Sequence, residues 1–322
     1  MIYSLIVNSI KFRGMEISPV GIGTAAWGGG INGGDQMYGS RLSANDLSYI
    51  FRSAVSQDIN VFDTSPAFGT SETALGYACK SNQSVHFSTK FVPSSFQRRN
   101  ALRKSAEQSI ATLGIDSLDF FGIQMPIDID KWTKELIPLL DDGTIKNAGV
   151  SNFNLSEIKK AQFILERAGH SLSYVQSHYS IVSHSERDEG LIDWCKENDA
   201  LFFAYMVLEQ GALTRRYSTS SMFESRSYRA SLYNRSLMNS LTPLKVQMQK
   251  LSDSYSVSDA QIAIAWSIGR GAIPIIGVTR PSHVGGIVSA LDLILDEDDM
   301  QMLEDTADSI KIKIRGFWEL DR

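Results

Sequence analysis

A closed (β/α)₈ TIM barrel is the fold predicted for this chain, on three observations. Short β-branched runs alternate with amphipathic stretches from Val20 to Leu291, the runs number eight, and 322 residues with 43% hydrophobic content suffice for one large core. The runs are Val20–Thr24, Asn60–Asp63, Val85–Lys90, Leu118–Gln124, Asn147–Val150, Ser173–Gln176, Leu201–Tyr205 and Ile273–Gly277. Intervening helices make the strands parallel, and eight parallel strands can close on themselves. Closure removes the two exposed edges that an open doubly wound sheet of this length would keep. A single domain spanning residues 1–322 is expected, because no composition shift, repeat or low-complexity tract marks a boundary.

The helices between the runs carry start signals, Ser43 followed by Asp46 and Ser256 followed by Asp259. From Asp259 to Trp266 nearly every second or third residue is apolar, as suits a helix laid on a barrel wall. The opening stretch MIYSLIVNSIKFRG lacks a basic n-region, and Ser4, Asn8 and Ser9 interrupt its apolar run. It predicts the first strand of an N-terminal β-hairpin rather than a signal peptide or membrane span. One segment breaks the rhythm. Met206 to Ser256 follows the seventh strand as a long loop crowded with Arg215, Arg216, Tyr217, Arg226, Tyr228, Arg229, Tyr233 and Arg235. Two descriptions of it stand: a lid over the catalytic face, or a solvated insertion with a helix near Leu241–Leu251.

Charge narrows the partners. A formal net charge of −5, from 31 basic and 36 acidic residues mixed along the chain, offers no footprint for nucleic acid or an anionic membrane. Small-molecule substrates, a cytoplasmic location and a monomer or small homo-oligomer are expected. The two cysteines, Cys79 and Cys195, lie far apart in apolar helical contexts and predict reduced structural thiols. No set of His, Cys or carboxylate residues shows metal-ligand spacing.

In a barrel of this kind functional side chains sit where strands end, which singles out Asp63, Lys90 and Gln124 at the ends of the second, third and fourth strands. An Asp and a Lys there would pair, each supporting the other's charge. A barrel-end ion pair with no catalytic part is an equal alternative on these residues alone. The Gly28–Gly34 cluster lacks the spacing of a GxGxxG dinucleotide fingerprint and predicts a flexible substrate loop.

The wording and order of the motifs resemble the aldo-keto reductases from Ile17 to about Asp308. VGIGTAAWGGG (Val20–Gly30) is similar to that family's first strand, VFDTSPAFGTSE (Val61–Glu72) to its aspartate motif and FSTKF (Phe87–Phe91) to its lysine strand. GTIKNAGVSNF (Gly143–Phe153) resembles its Ser-Asn stretch on the fifth strand, and AIPIIGVTRPSHV (Ala272–Val284) its last strand and following helix. The resemblance implies NADP(H) as cofactor. Ser151, Asn152 and Gln176 would bond the nicotinamide carboxamide, and Tyr205 would stack on its ring. The turn through Gly277, Thr279 and Arg280, with His283 in the first turn of the next helix, would take the cofactor's phosphates, Arg280 forking to a 2′-phosphate. The acidic residues and Asn that usually follow this turn are replaced by Gly285, Gly286 and Ile287.

Two catalytic positions also depart from the family pattern. The resemblance implies a proton-donating Tyr and an orienting His where this chain has Phe68 and Gln124, beside the retained Asp63 and Lys90. Phe has no proton to give, and an amide is no general acid. Three readings follow. The first is a reductase of an imine, an activated double bond or a specialised carbonyl, with the proton drawn from Lys90, water, the substrate, Tyr38, Tyr179 or His178. The second is a non-redox lyase or isomerase using Lys90 as base or Schiff-base amine. The third is a catalytically silent nicotinamide-nucleotide-binding protein.

Overall fold

The computed structural model describes residues 9–79, 84–184 and 190–319; the start of the predicted hairpin strand before residue 9 lies outside them. The hairpin forms from β1 (Ile10–Phe12) and β2 (Met15–Ile17), antiparallel. Its two-residue turn places Arg13 and Gly14 at φ of 46° and 79°, the positive values that a twist-matched hairpin turn requires.

Eight strands close the barrel in chain order: β3 (Gly21–Gly23), β4 (Val61–Asp63), β5 (His86–Phe91), β6 (Leu118–Ile123), β7 (Ile145–Ser151), β8 (Tyr174–His178), β9 (Leu201–Tyr205) and β10 (Ile273–Gly277), with β10 returning to pair with β3. Every barrel pairing is parallel. All eight predicted runs are strands, with boundaries moved by up to two residues.

The barrel interior is aromatic. Phe120, Tyr174 and Phe203, from β6, β8 and β9, meet with ring centroids 5.3–5.6 Å apart. Tyr174 fits only because its neighbours lack side chains: a Cβ on Gly122 or Gly149 would overlap its ring or hydroxyl. The hairpin runs into β3 through Ser18 and Pro19 and caps the N-terminal end, where Phe12 stacks on Phe120 at 6.5 Å. That leaves the opposite end, where Asp63 and Lys90 lie, as the mouth.

On the outside, the predicted capping box holds: the Ser43 hydroxyl accepts from Asp46 N, and the Asp46 carboxylate accepts from Ser43 N. The start signal at Ser256 does not. Ser256 terminates the helix Thr242–Tyr255 with a φ of 56°, and the next helix is capped by Ser258, boxed with Gln261. A left-handed residue can close one helix but cannot supply the extended N-cap of another. The segment after β9 is also more ordered than the predicted loop. It carries helices Tyr228–Leu232, Arg235–Ser240 and Thr242–Tyr255 and buries Tyr233, Met238 and Leu244. Nor is Gly28–Gly34 an open flap: Gly34 N donates to Gly28 O at 2.6 Å, and a Cβ on Gly28 would strike the backbone of Ser71. Cys79 and Cys195 are buried free thiols, and no helix among the described residues is long and apolar enough to cross a membrane.

The aromatic interior yields a test. Gly149→Ala should overpack the space filled by Tyr174 and cost about 1–3 kcal/mol, read as a lower urea midpoint at unchanged m; adding Tyr174→Phe should not rescue it, because the ring itself occupies the space.

Candidate active site

Asp63 ends β4 and Lys90 lies near the end of β5, which places the two side chains on adjacent strands at the mouth. Lys90 Nζ donates to Asp63 Oδ1 at 2.5 Å and to Thr64 O at 3.0 Å, and Ser88 Oγ donates to the same Asp63 oxygen at 2.8 Å. Burial pushes the Lys90 ammonium below the usual lysine range, and Asp63 opposes that shift. An ammonium has three protons to donate; among the described residues the third has no hydrogen-bond partner. The next residue, Ser65, donates to Gln124 Oε1 at 3.2 Å. The Thr64-Ser65 pair thus links Lys90 to Gln124, whose amide N–H groups make no hydrogen bond among the described residues. Phe68 follows in a turn closed by Phe68 N to Ser65 O at 3.0 Å, and its ring packs 6.2 Å from that of Trp318.

On the other side of the mouth, the registers set polar residues side by side. Ser151 pairs with Gln176, and His178 with Tyr205. Asn152 takes a left-handed φ of 62°, which Asn tolerates; its amide donates to Gln124 O at 2.9 Å, and its Oδ1 accepts from Tyr205 OH at 2.6 Å. Gln176 is 2% exposed, and its Oε1 is buried without a partner among the described residues. A buried acceptor left unpaired is costly, so an amide N–H arriving in the mouth fits it. Directly after Tyr205, Met206, Glu209 and Gln210 all adopt positive φ, a concentration of backbone strain beside the site.

The candidate proton donors divide by position. His178 is clamped: its Nε2 lies 2.8 Å from Glu209 Oε1 and its Nδ1 2.7 Å from Glu319 Oε1. Burial would lower its pKa, but the carboxylates outweigh burial and hold it well above 6.5. Glu209, fully buried, also accepts from Tyr233 OH at 2.6 Å and from Ser180 Oγ. Tyr179 lies between the sheet and a helix, stacked on Trp266 at 5.0 Å and edge-on to Phe202. Tyr38 packs under Arg229, and burial raises its phenol pKa, with Arg229 in opposition. His86 and His170 pair with Asp119 and Asp141, and His184 bonds Ile181 O and lies 3.1 Å from Asp308.

Three residues of the C-terminal segment grip the mouth: Phe317 edge-on to Tyr228 at 5.4 Å, Trp318 against Phe68, and Glu319 on His178. Sequence reasoning missed this segment, because nothing local in GFWEL signals contacts with residues so distant in the chain. It also missed Glu209 and Lys245. Lys245 Nζ donates to the carbonyls of Ala212, Thr214 and Tyr217 at 2.6–2.7 Å, and burial lowers its pKa to about 8.

The turn after β10 is held by Trp27 Nε1 donating to Val278 O at 2.8 Å. Arg280 is the N-cap of the helix Pro281–Leu291, and His283 N donates to Arg280 O. Burial, then the nearby guanidinium groups of Arg280 and Arg216, hold the His283 imidazole below its usual pKa. Arg216, from the segment after β9, therefore lies near Arg280 and His283, and the backbone at Gly277 faces open space.

The family model for the aldo/keto reductase family matches residues 19–308, and the chain belongs to that family. It is 28% identical over 97% of its length to the chloroplastic pyridoxal reductase of Arabidopsis thaliana, covering 89% of that protein. To an aldo-keto reductase of Bacillus subtilis it is 27% identical, over 91% of each chain. Its fold matches the glycerol dehydrogenase of Gluconobacter oxydans with a TM-score of 0.81, at 22% identity over 95% of this chain and 97% of the other. An aldo/keto reductase from Klebsiella pneumoniae, solved in complex with NADP and acetate, matches with a TM-score of 0.69 at 20% identity, over 92% and 94% of the chains.

The His178 clamp predicts a pH-dependent stability. A histidine whose folded pKa is raised contributes fully below its ordinary value of 6.5, and the contribution is lost as pH rises through the folded value. His178→Gln, which leaves Glu209 buried without a cation, should cost about 3–5 kcal/mol near pH 6. The gap from wild type in urea unfolding should narrow at alkaline pH; a gap that widens would show that His178 is neutral in the folded protein.

Proposed function

We propose that the protein is an NADPH-dependent reductase whose proton does not come from the position of the family's tyrosine, here Phe68. The observation that carries this is the Gln176 amide oxygen, buried at the mouth and unpartnered among the described residues, where an amide N–H of a nicotinamide carboxamide would satisfy it. Ser151 and Asn152 would complete the carboxamide's hydrogen bonds, and the Tyr205 ring would support one face of the nicotinamide. Gly277, Thr279, Arg280 and His283 would hold the phosphates, with Arg216 closing on them from the segment after β9. Bound there, the reduced nicotinamide supplies a hydride.

The chain's own part is electrostatic. The spare Lys90 N–H and the Gln124 amide are donors placed to stabilise negative charge growing on a substrate oxygen, while Asp63 keeps Lys90 cationic. A carbonyl activated by conjugation, an imine or an activated double bond suits such a site, since each asks less of a proton donor than a simple ketone. The name of the Arabidopsis relative makes an aromatic aldehyde the first substrate to try. A Schiff base on Lys90 is disfavoured, because its ammonium is held by both Asp63 and Thr64 O.

The test is to titrate purified protein with NADPH and NADH by nicotinamide fluorescence, then follow oxidation with aldehyde, imine and enone panels. NADPH should bind more tightly and be oxidised. Failure to bind either nucleotide would overturn the proposal. Arg280→Ala should weaken NADPH binding by about 1.5–3 kcal/mol, the worth of a hydrogen bond to a charged group, with NADH little affected; equal losses would refute a 2′-phosphate contact.

A further inference from the structure

We propose that the preferred substrate is an ortho-hydroxy aromatic aldehyde, whose own phenol supplies the proton that this site lacks and whose phenol oxygen is held by Lys90. The proposal rests on the NADPH-dependent reading above. It starts from the donors around the mouth. Phe68 and Gln124 cannot act as acids, the Tyr205 hydroxyl is committed to Asn152 at 2.6 Å, and both nitrogens of His178 are committed to carboxylates. Tyr179 is packed against Trp266 outside the barrel, and burial makes the Tyr38 phenol a weaker acid.

What remains is a cation with a spare N–H near the end of β5, at the mouth where the turn after β4 also carries one ring of an aromatic pair. Lys90 is fixed by Asp63 and Thr64, with its third proton unpartnered among the described residues. The rings of Phe68 and Trp318, 6.2 Å apart and inclined at 52°, offer aromatic faces to a flat ligand. A buried ammonium acidifies a phenol beside it. When the phenol sits ortho to the aldehyde, its O–H already points at the carbonyl oxygen, so the acid is positioned by the substrate's own bonds.

The step balances as follows. The aldehyde carbon accepts a hydride from NADPH, which leaves as NADP⁺, and the carbonyl π pair moves onto oxygen. That oxygen takes the phenol proton as the phenol O–H bond breaks. The phenolate, held by the Lys90 ammonium, is reprotonated by water as the hydroxybenzyl alcohol departs.

The experiment compares 2-hydroxybenzaldehyde, 2-methoxybenzaldehyde and 4-hydroxybenzaldehyde on the wild type, Phe68→Tyr, Tyr38→Phe and Lys90→Met. On the wild type, kcat/KM for the 2-hydroxy aldehyde should exceed that for the 2-methoxy one by about 10²-fold or more, the scale of general acid catalysis. Phe68→Tyr should shrink that ratio by raising the 2-methoxy rate, and Tyr38→Phe should leave it unchanged. A second readout needs no turnover. With NADP⁺ bound, the absorbance titration of 2-hydroxybenzaldehyde should show its phenol pKa lowered on the wild type and restored on Lys90→Met.

Equal rates for the 2-hydroxy and 2-methoxy aldehydes would overturn the proposal while leaving the reductase reading intact. So would loss of the ratio in Tyr38→Phe, or a mass increase on Lys90 after borohydride treatment, which would mark a Schiff base. If NADPH binds but nothing in the aldehyde, imine and enone panels is reduced, the reductase reading itself fails.

Discussion

The site is organised by one buried ion pair, Lys90 on Asp63, and the barrel is what holds it. Two charges taken out of water cost more than their mutual attraction readily returns unless geometry and further hydrogen bonds satisfy them. Here Ser88 supports the carboxylate and Thr64 O supports the ammonium, and adjacent parallel strands fix the two side chains with no loop between them to relax. Such a pair is a weak source of stability. A fold that needed only packing at this point would do as well with apolar side chains of the same volume. Its presence at the mouth, with one ammonium proton unpaired among the described residues, is better explained by work done on a ligand.

The barrel was legible because its signals are local. Each strand is a short β-branched run, and the capping box of Ser43 and Asp46 is written within four residues. Ser256 shows where local signals mislead. Ser256 with Asp259 and Ser258 with Gln261 offer competing boxes two residues apart, and the choice between them depends on where the preceding helix stops. Of the helices of residues 228–255, the one near Leu241–Leu251 was legible as a possibility, whereas the two short ones before it were not, because that stretch is crowded with arginine and tyrosine and its pattern reads as polar. Arg229, for example, sits over the rings of Tyr217 and Phe223 at 5.2 and 4.7 Å, spending its charge on aromatic faces inside the segment.

At the site the division is similar. Asp63, Lys90 and Gln124 could be placed because strand ends converge on one mouth by topology, and Ser151, Gln176 and Tyr205 because the motifs around them resemble those of the family. Glu209, Trp318 and Glu319 could not, since each matters through a contact made across the fold. Glu209 is a residue that composition would place on the surface, yet it is buried because His178, Ser180 and Tyr233 all donate to it. Glu319 then brings the C-terminal segment to the same histidine. A histidine gripped by two carboxylates from distant parts of the chain serves as a fastening rather than as an acid.

That fastening alters how the substitutions at Phe68 and Gln124 are to be understood. Trp318 lies against Phe68, so the position where the family pattern has its tyrosine is lined by aromatic rings. An apolar lining strengthens the pull of Lys90 on any negative charge that develops beside it. On the proposed reading, a site that stabilises an anion without a donor of its own is consistent with a proton that arrives with the ligand, which favours a substrate that carries its acid next to its carbonyl.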